Sequence, residues 1–291
     1  MAELLLQFLI TGLTVGSIYA LIALGFTIVY NATEAINFAQ GEFVMLGGMT
    51  AVALNGTGLP MPLVFVGSVA FVTLVGLLME RLMLSPMRRP TVTNLIIVTI
   101  GASILLKGTA MLAWGKDGAV LPAFTGDTPI RFFGAVILPQ ALWIMASTLV
   151  VVLLVRTFFQ KTAAGMAMRA AAANGFAASL VGINTKSMRA WSFALAAAVG
   201  SIAGILITPI TLTQFDRGTM LGLKGFCAAI IGGLGNGPGA VAGGLLLGVL
   251  ESLGAGYISS GYKDAIAFVL LILVLLLRPQ GLLGTPPRRK A

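Results

Sequence analysis

The chain has 291 residues, 58% of them hydrophobic and 9% charged, with a mean hydropathy of +1.01. Soluble domains carry roughly 25% charged residues, so the composition excludes a water-soluble globule and points to repeated membrane crossing. The net charge of +9 does not imply nucleic acid, because the basic residues gather in short loops as membrane-orientation signals do. With no histidine and a single cysteine, Cys227, imidazole metal sites, an intrachain disulfide and the commonest general base are excluded, and no cofactor is expected.

About 20 apolar residues are needed to cross roughly 30 Å of hydrocarbon. The first such run, residues 4–30, follows Met1-Ala2-Glu3, which lacks the basic start of a signal peptide, so it reads as a retained span. Further spans are expected at 35–54, 59–79, 94–114, 136–158 and 190–211. Residues 225–233 make an apolar piece of about half that length, followed by the glycine-rich turn 234–239 and spans at 240–255 and 258–277. Twelve of the 18 lysines and arginines fall in three groups: Arg81, Arg88 and Arg89; five from Arg156 to Arg189; and four from Arg278 to the end. All three groups share one side if the half-length piece crosses, which gives nine spans; treated as re-entrant it gives eight and strands the tail on the other side. Nine is the preferred count, and the positive-inside rule makes the shared side cytoplasmic, with the N-terminus outside. The expected fold is an all-α polytopic transmembrane bundle of eight or nine spans, forming one membrane domain over residues 1–291. No stretch is long enough for a separate soluble core.

Two polar stretches stand out. Residues 31–42 carry Asn31, Glu34, Asn37, Gln40 and Glu42 between two apolar runs. They read either as a solvated loop with a helix N-cap or as a break lining a polar pathway, and the tight apolar flanks favour the pathway. Residues 160–189 form a basic, alanine-rich insert suited to one or two short helices that fit a groove on another protein. Thr162 to Gly165 open it, Gly182 stands where a left-handed cap is needed, and Asn184 can cap the next helix. Glycines four apart, at 12/16, 200/204, 239/243 and 244/248, suit close helix packing within the chain more than a subunit interface. Lys107 reads as the one base inside a span, either functional or reaching outward to the interface. Glu251 is a weaker candidate of the same kind, and Glu80-Arg81 reads as an interfacial anchor. No phosphate-binding loop and no paired intramembrane acids are present, so ATP chemistry on this chain is not expected.

Several runs then bear on family. They are Gly25-Phe26-Thr27-Ile28-Val29-Tyr30 with Ile36-Asn37-Phe38-Ala39-Gln40-Gly41-Glu42; Gly165 with Arg169-Ala170, Asn174 and Gly182-Ile183-Asn184; Ala203-Gly204; Ile231-Gly232-Gly233-Leu234-Gly235 with Pro238-Gly239-Ala240; and Arg278-Pro279-Gln280-Gly281-Leu282-Leu283-Gly284. In this order, over nearly the whole chain, they resemble the permeases of branched-chain amino-acid ABC importers. Gln40 stands where members often carry histidine.

The resemblance implies a non-enzymatic, multi-pass subunit of the bacterial inner membrane. It would pair with a second homologous permease, two cytoplasmic ATPases that hydrolyse the ATP, and a periplasmic substrate-binding protein. Gly165, Arg169, Asn174, Gly182 and Asn184 would then form the ATPase-coupling element, and Asn31, Glu34, Asn37, Gln40 and Glu42 the substrate pathway. An ion-coupled secondary transporter, a structural subunit without transport, and a permease for urea or short amides are the alternatives.

Overall fold

The computed structural model describes residues 2–87, 91–126, 128–132 and 134–284. Arg88, Arg89 and the basic end of the tail, residues 288–290, lie outside the described residues. The chain folds into helices α1 (Ala2–Thr33), α2 (Gln40–Asn55), α3 (Met61–Met79), α4 (Val92–Trp114), α5 (Pro139–Lys161), α6 (Ala163–Ala173), α7 (Gly175–Leu180), α8 (Thr185–Ile207), α9 (Arg217–Gly232), α10 (Gly237–Tyr257) and α11 (Lys263–Leu277). A π-helical turn, Glu80–Leu84, extends α3, and a small antiparallel hairpin, β1 (Ile130–Phe132) with β2 (Ala135–Ile137), precedes α5. The architecture is the expected all-α transmembrane bundle.

Among the described residues seven helical stretches are long and apolar enough to cross a membrane: α1, α3 with its π turn, α4, α5, α8, α10, and α11 with the short turn before it. Helix α1 is the axis, 89% buried over its most apolar window, against 22% for α3, α4 and α5 and 11% for α11. The outer four therefore present apolar flanks to lipid or to other subunits, while α1 packs along α10 and touches α8, α9 and α5. Glycine makes the central contact possible. A Cβ at Gly12 or Gly16 would overlap the backbone of α10, and one at Gly244 or Gly248 the backbone of α1. The 200/204 pair lies against α2 and the 239/243 pair against α9, so all four pairs serve packing inside the chain.

The two ends of the bundle are distinct. At one, Gln7 exchanges two hydrogen bonds with the backbone of Val136 (3.1 and 2.7 Å), and Phe8 packs edge-on against Tyr257. At the other, Ala32 borders a cavity of about 150 Å³ shared with Met168 and Arg189 of the insert. Asn31 donates to the Gly235 carbonyl at 3.0 Å, and the tail's Leu282 and Leu283 amides donate to Ile231 and Gly232 carbonyls. The insert, the end of α1 and the tail thus share one face, as an even number of passes between each of them requires.

Two crossings differ from the sequence expectation. The run 35–54 does not start a full span: α2 begins at Gln40 and has 16 residues, about 24 Å of helix. Residues 34–39 descend first without helix, Glu34 adopting φ +54°. The apolar piece expected at 225–233 is the second half of α9, also 16 residues, which begins at Arg217. Charges at Arg217 and Lys224 hid its first two turns from a reading based on hydropathy. Helices α2 and α9 meet where Gly41 packs against Gly218 and Gly222. Each completes a crossing that non-helical chain begins, and together with the seven long helices they make nine.

Candidate functional site

The polar break runs from the insert face to the middle of the bundle. Asn31 and Glu34 stay exposed at the surface, while Asn37, Gln40 and Glu42 are buried. Gln40 lies against Gly25, eight residues or about 12 Å below the end of α1, and its Nε2 donates to the Ala196 carbonyl of α8 at 3.0 Å. A Cβ at Gly25 would overlap the Gln40 amide, so glycine there is the condition for this side chain to fit. Asn37 accepts from the Ala39 amide (3.1 Å), and the Phe38 amide donates to Thr99 of α4 (3.2 Å). These bonds hold the turn open at the depth where α2 starts.

Glu42 is 1% exposed, and its Oε1 accepts from Ser103 of α4 (3.0 Å) and Thr219 of α9 (3.3 Å). Ser103 lies 11 residues into α4, about 16 Å of rise, near mid-membrane. Three polar atoms of the break, Asn37 Nδ2, Gln40 Oε1 and Glu42 Oε2, are buried without a hydrogen-bond partner. Each such atom costs about 1–3 kcal/mol, so the seam is not arranged for stability. Lys107 lies one turn beyond Ser103, partly exposed on the same side of α4. Of the five residues expected to line a pathway, the structure brings three together at depth and leaves Asn31 and Glu34 at the rim.

A second charged group was only half legible in the sequence, through Glu251 alone. Lys224 of α9, 6% exposed at its side chain, pairs with Glu251 of α10 at 2.7 Å and with Asp264 of α11 at 2.6 Å. Lys263 approaches Glu251 at 3.5 Å, and Lys224 Nζ lies 5.7 Å from the centre of the Tyr19 ring. Lys107 is therefore not the lone base within the bundle. The available signal was Glu251 itself, since an acid within a span calls for a base at its own depth. Glu80 likewise is not an interfacial anchor: it is 2% exposed and accepts from Arg189 Nε at 2.7 Å, tying the π turn to the second turn of α8.

The insert forms two short helices. Thr162 caps α6 by accepting from the Gly165 amide (3.0 Å), and Gly165 packs so closely on Phe158 and Phe159 of α5 that a Cβ would strike their backbone. Asn174 ends α6 and caps α7 through the Ala177 amide (3.0 Å). Gly182 takes φ +87°, and Asn184 caps α8 through the Ser187 amide (3.1 Å). Four of the five expected coupling residues therefore shape the backbone. Arg169 is exposed beside them, with Phe176, Leu180 and Val181 each more than 70% exposed. Nothing in the local sequence marks those three apolar residues as an outward-facing patch.

Residues 8–275 match the family described as branched-chain amino acid transport system / permease component. The chain belongs to this permease family. The high-affinity branched-chain amino acid transport system permease protein LivH of Escherichia coli strain K12 is 38% identical over 98% of this chain and 97% of its own length. LivH of Salmonella typhimurium gives the same three figures, 38%, 98% and 97%. The counterpart BraD of Pseudomonas aeruginosa is 36% identical over 98% and 97%. The permease-family match runs from the second turn of α1 almost to the end of α11, so it contains the polar break, the Lys224 network and the insert.

Proposed function

We propose that this chain is the membrane permease subunit of an ATP-driven importer for branched-chain or other small hydrophobic amino acids, multi-pass in the bacterial inner membrane. Its partners are a second homologous permease, two cytoplasmic ATPases and a periplasmic binding protein. Hydrolysis takes place on the ATPases.

The observation that supports the pathway most directly is the break carried to mid-membrane with three polar atoms unpartnered. Hydrocarbon cannot accommodate such groups on an open flank. Thr219 is exposed and Ser103 and Lys107 partly so, which supports the reading that the α2–α4–α9 side faces the second permease and that the substrate passes along the seam between the two. At the insert face, Arg169 with Phe176, Leu180 and Val181 offers a basic rim around an apolar knob for the ATPase surface. The tight α5–α6 contact at Gly165 and the Glu80–Arg189 pair pass its displacement to α5, α3 and α8. Tilting of those helices alternates access from one face to the other.

The test is leucine uptake and ATPase rate in the reconstituted importer for Arg169→Glu and Gly182→Val. Hydrolysis that continues while uptake falls supports the insert as the coupling element, and normal coupling in both variants removes it from the mechanism.

A further inference from the structure

We infer that Glu42 and Lys107 are the pair that reads the zwitterion: Glu42 takes the α-ammonium group of the substrate and Lys107 its α-carboxylate. The inference rests on the pathway reading above and adds the chemistry of its narrowest polar point.

The hydrogen-bond inventory of Glu42 is incomplete in a particular way. A carboxylate offers about four lone-pair sites. Here Oε1 receives two hydroxyl donors, Ser103 at 3.0 Å and Thr219 at 3.3 Å, and Oε2 receives none. Gly218 lies directly beside Oε2, where a Cβ would come within 2.7 Å, so the position is kept free of side chain. In a medium of low dielectric such a carboxylate is costly unless a cationic donor completes it. The longer Thr219 contact is the one an incoming ammonium group displaces.

The natural cation within the chain does not complete it. Lys107 lies one helical turn beyond Ser103, which donates to Glu42 at 3.0 Å, yet among the described residues no ion pair within 4.0 Å joins the two. An acid and a base on neighbouring helices at mid-membrane, not paired with each other, offer a negative and a positive wall to a molecule that enters between them. An α-amino acid carries its ammonium and carboxylate on one carbon and fits both walls. An amine satisfies one wall and a carboxylic acid the other, while urea, an amide or a sugar offers both only neutral hydrogen bonds, about half as strong as charge-assisted ones. Toward the insert face from Glu42 lie Phe38 and Phe226, whose ring centres are 6.0 Å apart, with Phe26 5.7 Å from Phe226. Phe38 is bonded to Thr99, one turn before Ser103 on α4, and Phe226 lies two turns beyond Thr219 on α9. These rings supply an apolar wall for an aliphatic side chain. Asp216 and Arg217, both exposed, stand just before and at the first position of α9, within three residues of Thr219, and add a charged rim of both signs toward the opposite face.

The experiment uses the assembled importer, with Cys227→Ala and Gly108→Cys in this chain. Gly108 neighbours Lys107 and has open space around it. Labelling by a membrane-impermeant maleimide is read on this chain by mass shift, with leucine, 3-methylbutylamine or 4-methylpentanoate present. Leucine is expected to protect, and the amine and the acid to protect at least about tenfold more weakly, since each loses a charge-assisted contact. Glu42→Gln and Lys107→Met each raise the half-protecting leucine concentration at least about tenfold, and lower leucine uptake correspondingly. Glu42→Asp and Lys107→Arg recover part of both. Equal protection by all three compounds, or unchanged uptake in both charge-removing variants, overturns the inference. A Thr219→Trp variant separates the two readings. Blocked uptake in that variant, with uptake indifferent to the Glu42 and Lys107 charges, rejects the zwitterion pair alone. Unchanged uptake in Thr219→Trp rejects the pathway on which the pair rests.

Discussion

Replacing Glu251 by leucine removes the buried partner of Lys224 and leaves an ammonium group that is 6% exposed with only the rim residue Asp264 beside it. Breaking a buried pair by deleting one member costs about 3–5 kcal/mol. Because Asp264 remains 2.6 Å from Lys224 Nζ, the lower end, about 3 kcal/mol, is the expected loss. Lys224→Met leaves Glu251, 1% exposed, with Lys263 at 3.5 Å, and is expected to cost a similar amount. The double variant Lys224→Met/Glu251→Leu replaces the pair by apolar side chains of comparable bulk and should lie close to the parent, because the desolvation cost of both charges disappears with them. The assay is reversible unfolding in detergent, read as a double-mutant cycle. The expected coupling is at least about 2 kcal/mol, well above the 0.3–0.5 kcal/mol scatter of independent sites. Additive losses within that scatter would refute the view that these charges stand as a mutually compensated unit at the junction of α9, α10 and α11.

Glu80→Gln is expected to loosen the tie between the π turn and α8, lowering uptake per ATP hydrolysed in reconstituted vesicles while the complex still assembles. Gly16→Leu places a side chain into the backbone of α10, and an overpacking cost of about 1–3 kcal/mol or more should appear as loss of folded chain on size exclusion in detergent. Asn184→Ala removes the cap on the first turn of α8 and is expected to cost about 1 kcal/mol, measured by the same unfolding assay. Asn184→Asp retains the acceptor and should lie near the parent.

What could be read from the sequence divides along the range of the interactions. The caps of the insert depend on one to three neighbouring residues, so Thr162, Gly182 and Asn184 announced its turns correctly. The long helices were legible because hydropathy alone defines them, and the glycine pairs because small side chains have one main use between lipid-embedded helices. The start of α2 was only partly legible: Asn37 and Gln40 flagged a break, but only the depth of Gln40 against Gly25 and Ala196 shows that residues 34–39 descend without helix and that α2 begins within the membrane. The first half of α9 was missed for the opposite reason. Lys224 looks like the end of an apolar run until Glu251, 27 residues later, is seen to neutralise it. Glu80 and Arg189 are 109 residues apart, and nothing local to either identifies the other. The pathway residues were partly legible, since polarity flagged all five, but polarity gives no depth, and depth is what separates Asn37, Gln40 and Glu42 from Asn31 and Glu34.

The most direct test of the central claim is ATP-dependent leucine uptake into vesicles containing this chain with its partner subunits, compared between the parent and Gln40→Leu. That substitution makes the seam apolar at mid-membrane while keeping a side chain of similar reach. The account expects parental uptake only when ATP is present, and at least about a tenfold fall in the variant, as loss of one polar contact in a buried seam entails, while ATP is still hydrolysed. Uptake that proceeds without ATP, or that is unchanged in Gln40→Leu, contradicts it.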